Sequence, residues 1–415
     1  MLHLKKSDQR TFLPYNRQHI DDADIEAVAK VLRSDWLTTG PVTEQFEEKL
    51  AEKTGARFAV SCANGTAGLH LAALHLGLNE NSTVIVPANT FVATANAARL
   101  TGAKVVIADI DPATGLMTPE TLDKAITRCT CCCKGSVDAI FNVHFAGQSE
   151  DMMALRDIAV QNHAAILHDA CHALGTEIRT GNRLKPIADG PMEELSVFSF
   201  HPVKMAAMGE GGAIVTNSER IALNLKKLRG HGVERNPHLW ENKSAGLDSE
   251  AGPNPWYYEM QELGLNYRTS DINCALGLSQ LEKLDTFVKR RRKIADLYAE
   301  LLAPHKALVK PLARTGFSEN AWHLFVVQID FDALGKSRAQ VMKDLRSAQI
   351  GTQVHYIPLF MHPYYQPSMD SKDPSEIWPG AVAYYNQCLS LPLFVDMQDE
   401  DVNYVVATLI DILKA

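Results

Sequence analysis

From residue 58 to residue 217 the chain alternates short apolar runs with segments long enough to be helices. Phe58 to Ser61, Thr83 to Val86, Lys104 to Ala108, Ala139 to Val143 and Ala165 to Leu167 are the short runs. Ala67 to Leu76, a segment opening near Phe91, and Glu150 to Asn162 have helical length and fill the intervals. Strands that alternate with helices build a mostly parallel sheet, because a parallel neighbour is reached only through a long crossover. The expected fold class is therefore α/β, a mostly parallel sheet flanked by helices.

The last part of this run carries chemistry. Glu194 to Asn217 reads strand, loop, strand, with Leu195 to Phe200 and Ala213 to Val215 as the apolar runs. Between them lie Lys204 and the glycines Gly209, Gly211 and Gly212. A lysine walled by strands on one side has a lowered ammonium pKa, and its neutral amine is a nucleophile. The Ser199 hydroxyl is placed to hold a phosphate. On pattern alone, a β-hairpin with a solvated lysine at its tip comes first.

Gly65 and Thr66 open a helix after a strand, where free amides and the dipole make an anion site. A plain N-cap is commoner there. His144 follows a strand at the end where open α/β sheets place ligands. His168 and His172 are four apart around Cys171, but a strand-to-turn transition would not bring them to one face, so no metal is expected. The cluster Cys129 to Cys133 reads as a loop of reduced thiols, since no second pair lies at zinc-ribbon distance.

A net charge of −8 argues against a nucleic-acid or anionic-membrane surface. No stretch has the length and purity of a transmembrane helix, and the first residues lack the apolar core of a signal peptide. The expected location is cytoplasmic. Further on, Asn236 to Met260 reads as a long polar loop. Gln280 to Leu302 reads as one amphipathic helix whose basic run, Lys289 to Lys293, is a solvated face. Ala321 to Ile329 and Thr352 to His355 read as strands, Arg338 to Ala348 and Asp399 to Leu413 as helices. Dinucleotide, Walker and nucleophile-elbow motifs are absent from the sequence.

Several segments together resemble one family. They are SFHPVK with GEGGAIVTN around Lys204, DACHALG from Asp169, LTTGP from Leu37, GLNYRTSD around Asn266, and QVHY from Gln353 to Tyr356. They are similar to motifs of the DegT/DnrJ/EryC1/StrS nucleotide-sugar aminotransferases, over Tyr15 to about Leu413. The resemblance implies the type I pyridoxal-phosphate transferase fold, with a seven-stranded sheet and a smaller C-terminal α/β domain. The implied divisions are residues 1–40, an N-terminal segment serving the substrate site and small domain; 41–285, the cofactor domain; and 286–415, the small domain.

The resemblance also assigns roles. Lys204 would carry pyridoxal 5′-phosphate, and Asp169 would face its ring nitrogen. Gly65, Thr66 and Ser199 would hold its phosphate, Phe91 would stack on the ring, and His172 would touch it. Asn266 would reach the phosphate in the partner of a homodimer with shared sites. Tyr15, Asp35, Trp36, Leu37, Thr38, Gln353, Val354, His355 and Tyr356 would line the sugar-nucleotide site, with His144 beside them. The altrosamine-forming branch fits best. The implied substrates are L-glutamate, leaving as 2-oxoglutarate, and a UDP-linked 4-keto-6-deoxy-N-acetylhexosamine. Another nucleotide-linked keto-sugar, or a non-catalytic regulatory relative, is the alternative.

Overall fold

A computed structural model describes residues 11–133, 136–191, 194–250, 252–366 and 373–415, the side chains of 130–133 excepted. The strands are β1 (Phe58–Cys62), β2 (Thr83–Pro87), β3 (Lys104–Ala108), β4 (Ala139–Val143), β5 (Ala165–Asp169), a hairpin of β6 (Glu177–Thr180) and β7 (Arg183–Pro186), β8 (Leu195–Ser199) and β9 (Gly212–Thr216). All but the hairpin join one 7-stranded sheet in the order β1-β9-β8-β5-β4-β2-β3. From β3 to β8 the pairs are parallel. β9 runs antiparallel to β8 and β1.

The register sets the end of the sheet where ligands are expected. Asp169, the last residue of β5, lies opposite Val143 of β4 and Val197 of β8. The helix after β1, α3 (Gly65–His75), is buried nearly all round, which suits its Gly- and Ala-rich sequence. Its first turn lies tight against β9: a Cβ on Gly212 would come within 2.2 Å of the Asn64 carbonyl oxygen. α4 (Val92–Leu100) packs on α3.

A second body follows, built on a 3-stranded sheet of Lys310–Pro311, Phe325–Gln328 and Cys388–Leu391. Its core takes Ile294, Tyr298, Val341, Leu345, Val405 and Leu409 from the flanking helices. Among the described residues, no helix is long and apolar enough to cross a membrane.

Four expectations about local structure need correction. The Cys129–Cys133 cluster ends a helix, Pro119–Cys133, rather than forming a loop. Cys129 is buried on the stripe that includes Leu122, Ala125 and Ile126, and this packing carries the helix on. The stretch 236–260 is not structureless. Its described part holds a helical turn at Lys243–Gly246 and short pairings, including Val233–Glu234 with Glu259–Met260. Thr352 to His355 forms no strand, only a bridge from Gln353 to Ser390. The expected helix from Gln280 is two, Asp271–Glu282 and Leu284–Leu302, meeting at Lys283.

The basic run on that second helix is a solvated face only in part: Lys289 and Lys293 are exposed, but the arginines between them are not. Arg291 is only 1% exposed. Its guanidinium donates to the carbonyls of Trp322, His323 and Leu393 and to Asn16 Oδ1. Arg290 and Lys293 pair with Asp399, and Arg292 with Glu177. Burial lowers the Arg291 pKa to about 10, so the group stays charged at neutral pH. Arg291→Met leaves those acceptors without a donor. We expect a loss of about 3 kcal/mol or more in urea unfolding, against less than about 1 kcal/mol for Lys293→Met on the surface.

Candidate active site

A cleft of about 660 Å³ opens at the C-terminal ends of β5 and β8. Its floor is made by three turns. The first is the start of α3. Asn64 caps the helix by accepting from the Ala67 amide at 2.8 Å, which leaves Gly65 and Thr66 as its first two residues. Their amides have no carbonyl one turn back, and both residues line the cleft. The second turn follows β8. Ser199 stands so close to α3 that a Cβ on Gly65 would lie 2.9 Å from the Ser199 Cβ and 3.2 Å from Cys171 Sγ. Amides, a hydroxyl and missing side-chain bulk together make a cradle for a phosphate.

The third turn follows β5 and carries Asp169. Only 7% of this residue is exposed. Its Oδ2 accepts from Thr94 Oγ1 at 2.6 Å and its Oδ1 from the Cys171 amide at 3.1 Å. Thr94 in turn meets Thr90 at 2.7 Å. The carboxylate is thus fixed in place and can accept a further hydrogen.

Lys204 enters from the loop after β8, its backbone amide held by the His201 carbonyl at 2.8 Å. Among the described residues its amine joins no ion pair. Burial pushes its pKa below the ordinary lysine range, against the upward pull of Cys171 and Asp169. Half-buried, unpaired and lowered, this amine is a nucleophile and a proton carrier.

The walls carry aromatic and imidazole rings. Phe91, the N-cap of α4, is 55% exposed into the cleft and packs on Tyr356 with ring centroids 5.9 Å apart. His172, His323 and His355 also line the space. Burial holds all three below the usual histidine range, with Lys204 adding to the effect, and His355 falls to about 3. They are neutral rings at physiological pH.

Of the residues singled out in the sequence, the cleft brings together Tyr15, Gly65, Thr66, Phe91, Asp169, His172, Ser199, Lys204, Gln353, Val354, His355 and Tyr356. His144 is a correction. It is wholly buried, and its ring stacks on His168 at 5.2 Å instead of lining the cleft. Asp35, Trp36, Leu37 and Thr38 lie outside this chain's cleft, on an exposed turn bridged to Ser270. Asn266 is also outside and exposed, paired through its backbone with Gly230. Two site residues went unread in the sequence. Thr94 lies one helical turn after Thr90, and that spacing was its signal. His323 is the imidazole inside the apolar run Ala321 to Ile329.

The cradle predicts one defect. Gly65→Val puts two methyls where Ser199 stands and closes the phosphate pocket. We expect cofactor affinity to fall by about tenfold or more, measured by titrating the cofactor-free protein and following absorbance.

Comparison with known proteins agrees with this geometry. Residues 18–410 match the model of the DegT/DnrJ/EryC1/StrS aminotransferase family. The spore coat polysaccharide biosynthesis protein SpsC of Bacillus subtilis is 37% identical over 405 residues, covering 97% of each chain. PseC of Helicobacter pylori, an aminotransferase involved in the biosynthesis of pseudoaminic acid, superposes with a TM-score of 0.83 at 25% identity, over 97% of this chain and 100% of that one. Spr1654 of Streptococcus pneumoniae, solved in a pyridoxal phosphate and a pyridoxamine phosphate form, gives 0.83 at 26% identity, over 97% of this chain and 99% of that one. Cradle, buried carboxylate and free lysine fit that cofactor in this chain. The protein therefore belongs to the DegT/DnrJ/EryC1/StrS aminotransferase family, and is a sugar aminotransferase that works with pyridoxal phosphate.

Proposed function

We propose that the enzyme moves an amino group from L-glutamate to C4 of a UDP-linked 4-keto-6-deoxy-N-acetylhexosamine, giving UDP-4-amino-4,6-dideoxy-N-acetyl-β-L-altrosamine. Glutamate leaves as 2-oxoglutarate and the ketone becomes an amine, so the exchange balances. The observation that carries this reading is the placement of Gln353 to Tyr356. They line the cleft that holds Lys204, on the segment whose sequence resembles the altrosamine-forming branch. The likeness to PseC supports it.

Each residue has a task in this reading. Bound pyridoxal phosphate supplies an aldehyde that exchanges amines and a ring that withdraws electrons. Lys204 holds the cofactor, then carries the proton between the substrate carbon and the cofactor. Asp169 keeps a proton on the ring nitrogen. Gly65, Thr66 and Ser199 bind the phosphate, and Phe91 covers the ring. Tyr15 and the Gln353–Tyr356 segment flank the sugar. The reaction runs in the cytoplasm.

The turn Asp35–Thr38 and Asn266 complete the site across a homodimer axis. Their exposure supports this, since neither serves the cleft of its own chain. Lys204→Ala and Asn266→Ala homodimers, once subunits have exchanged, should regain about a quarter of wild-type activity, because half the dimers carry one intact site. Activity that stays at the average of the two parents after proven exchange removes the shared site.

A second reading has its own support. SpsC is named for spore coat polysaccharide biosynthesis, and this chain is 37% identical to it, so a different nucleotide-linked keto-sugar is the alternative. A panel of UDP- and dTDP-linked 4-keto sugars, with glutamate and mass detection of the amine, decides between them. Turnover confined to dTDP sugars would overturn the UDP-altrosamine assignment.

A further inference from the structure

We propose that His172 is a positioning residue that fixes the Tyr356 hydroxyl as a hydrogen-bond donor into the cleft, where it takes an acceptor oxygen of a substrate. The proposal rests on the aminotransferase reaction but not on which sugar is used. It starts from a chain of bonds whose direction is forced. The Ala146 amide can only donate, and it donates to His172 Nδ1 at 3.3 Å. A neutral imidazole with an accepting Nδ1 carries its hydrogen on Nε2. Nε2 lies 3.0 Å from Tyr356 Oη. In that contact the imidazole donates and the phenol oxygen accepts. The phenol's own hydrogen is left for another partner, and Tyr356 lines the cleft.

The arrangement is held from several sides. Ala146 is a non-glycine residue at φ 58°, a conformation that needs support. Its carbonyl accepts from the His323 amide at 3.1 Å, so one residue, through its N–H and its C=O, spans the two histidines. Gly147 follows at φ 96°, where a Cβ would meet the His172 carbonyl oxygen and the Trp322 amide at 3.0 Å. Tyr356 is anchored by its amide on Asn89 Oδ1 at 3.0 Å and by ring contacts with Phe91 and Phe145. Burial, Lys204 and His355 all disfavour protonation of His172, and burial keeps the Tyr356 phenol protonated. With both ring nitrogens engaged inside the chain, His172 has only its ring face to offer the cofactor.

The acceptor oxygen belongs either to the glutamate carboxylate or to the keto-sugar, and the two half-reactions separate these sources. Each is followed by cofactor absorbance in stopped flow, one with glutamate alone, the other with keto-sugar added to the aminated enzyme. Tyr356→Phe should lose about ten- to a hundredfold in kcat/KM in one of them, and the affected arm names the oxygen. His172→Phe should lose as much in the same arm. His172→Gln, whose amide keeps an N–H near the Nε2 position, should recover most of it. The double variant should be no worse than Tyr356→Phe, because both changes remove one interaction.

A separate readout is independent of turnover. In the full-length protein with 15N-labelled histidine, His172 should show hydrogen on Nε2 and a bare Nδ1. Hydrogen on Nδ1, a Tyr356→Phe variant equal to wild type in both arms, or losses that multiply in the double variant would each overturn the proposal. A wrong sugar assignment looks different, since wild type itself then gives no product in the keto-sugar arm.

Discussion

Lys204→Ala should cut turnover by at least about 10³-fold while the fold is kept. The structure gives this side chain no other task. Its amine joins no ion pair among the described residues, and burial already disfavours its charged form. Removing it costs the folded chain no partner, so the urea midpoint should stay where it was or rise slightly. The loss is therefore chemical. The protein should still bind pyridoxal phosphate through the Gly65 and Ser199 cradle, but its absorbance should be that of the free aldehyde, and adding glutamate should not bleach it on the catalytic timescale. The lowered pKa adds a sign. The neutral amine is populated at lower pH than in a free lysine, so the cofactor-free protein should condense with pyridoxal phosphate at a pH below the range where an unperturbed lysine loses its proton. Undiminished turnover in the alanine variant would remove the central assignment.

Asp169→Asn should keep cofactor binding and lose about 10²-fold or more in both half-reactions. A carboxylate at the end of β5 can hold a proton on the ring nitrogen, and an amide cannot. The structure adds a second reason. Asp169 Oδ2 accepts from Thr94 Oγ1 at 2.6 Å, and an asparagine nitrogen turned to that side would face a donor. Thr94→Val separates the two effects. It leaves the carboxylate charged but loosens its aim, so a loss of about tenfold is expected, shared by both half-reactions. A wild-type rate for the asparagine variant in stopped flow would reduce Asp169 to a capping residue of its turn.

The sheet was legible because its information is local. β3 and β4 have the bounds the sequence suggested, since β-branched runs between helical segments leave few other arrangements. Lys204 and Asp169 were legible for a related reason, since each sits in a short segment whose order matches a known motif, and Gly65 because it opens a helix directly after a strand. What was not legible depends on partners far away in the chain. Arg291 looked like a surface charge because its acceptors come from residues 16, 322, 323 and 393. His144 looked like a ligand because strand ends usually face ligands, but its ring turns to the other side of the sheet, onto His168. Thr94 was hidden because its partner, Asp169, lies 75 residues away. The turn at Asp35–Thr38 lies outside the cleft of its own chain.

The Arg291 guanidinium has a consequence for how this cleft can change. Asn16 follows Tyr15 and donates to the His323 carbonyl, and His323 is itself a lining residue, so a single planar cation clamps two neighbouring stretches of wall. In the segment Gln353 to Ile357, His355 and Tyr356 are held by Ser390, Tyr384, Asn89 and His172, while Gln353 and Ile357 at its two ends are exposed. One side of the mouth is a fixed jamb and the other a panel whose exposed ends can be recut. New substrate range, in nature or in the laboratory, should come from the panel, because altering the jamb disturbs every segment that hangs on it.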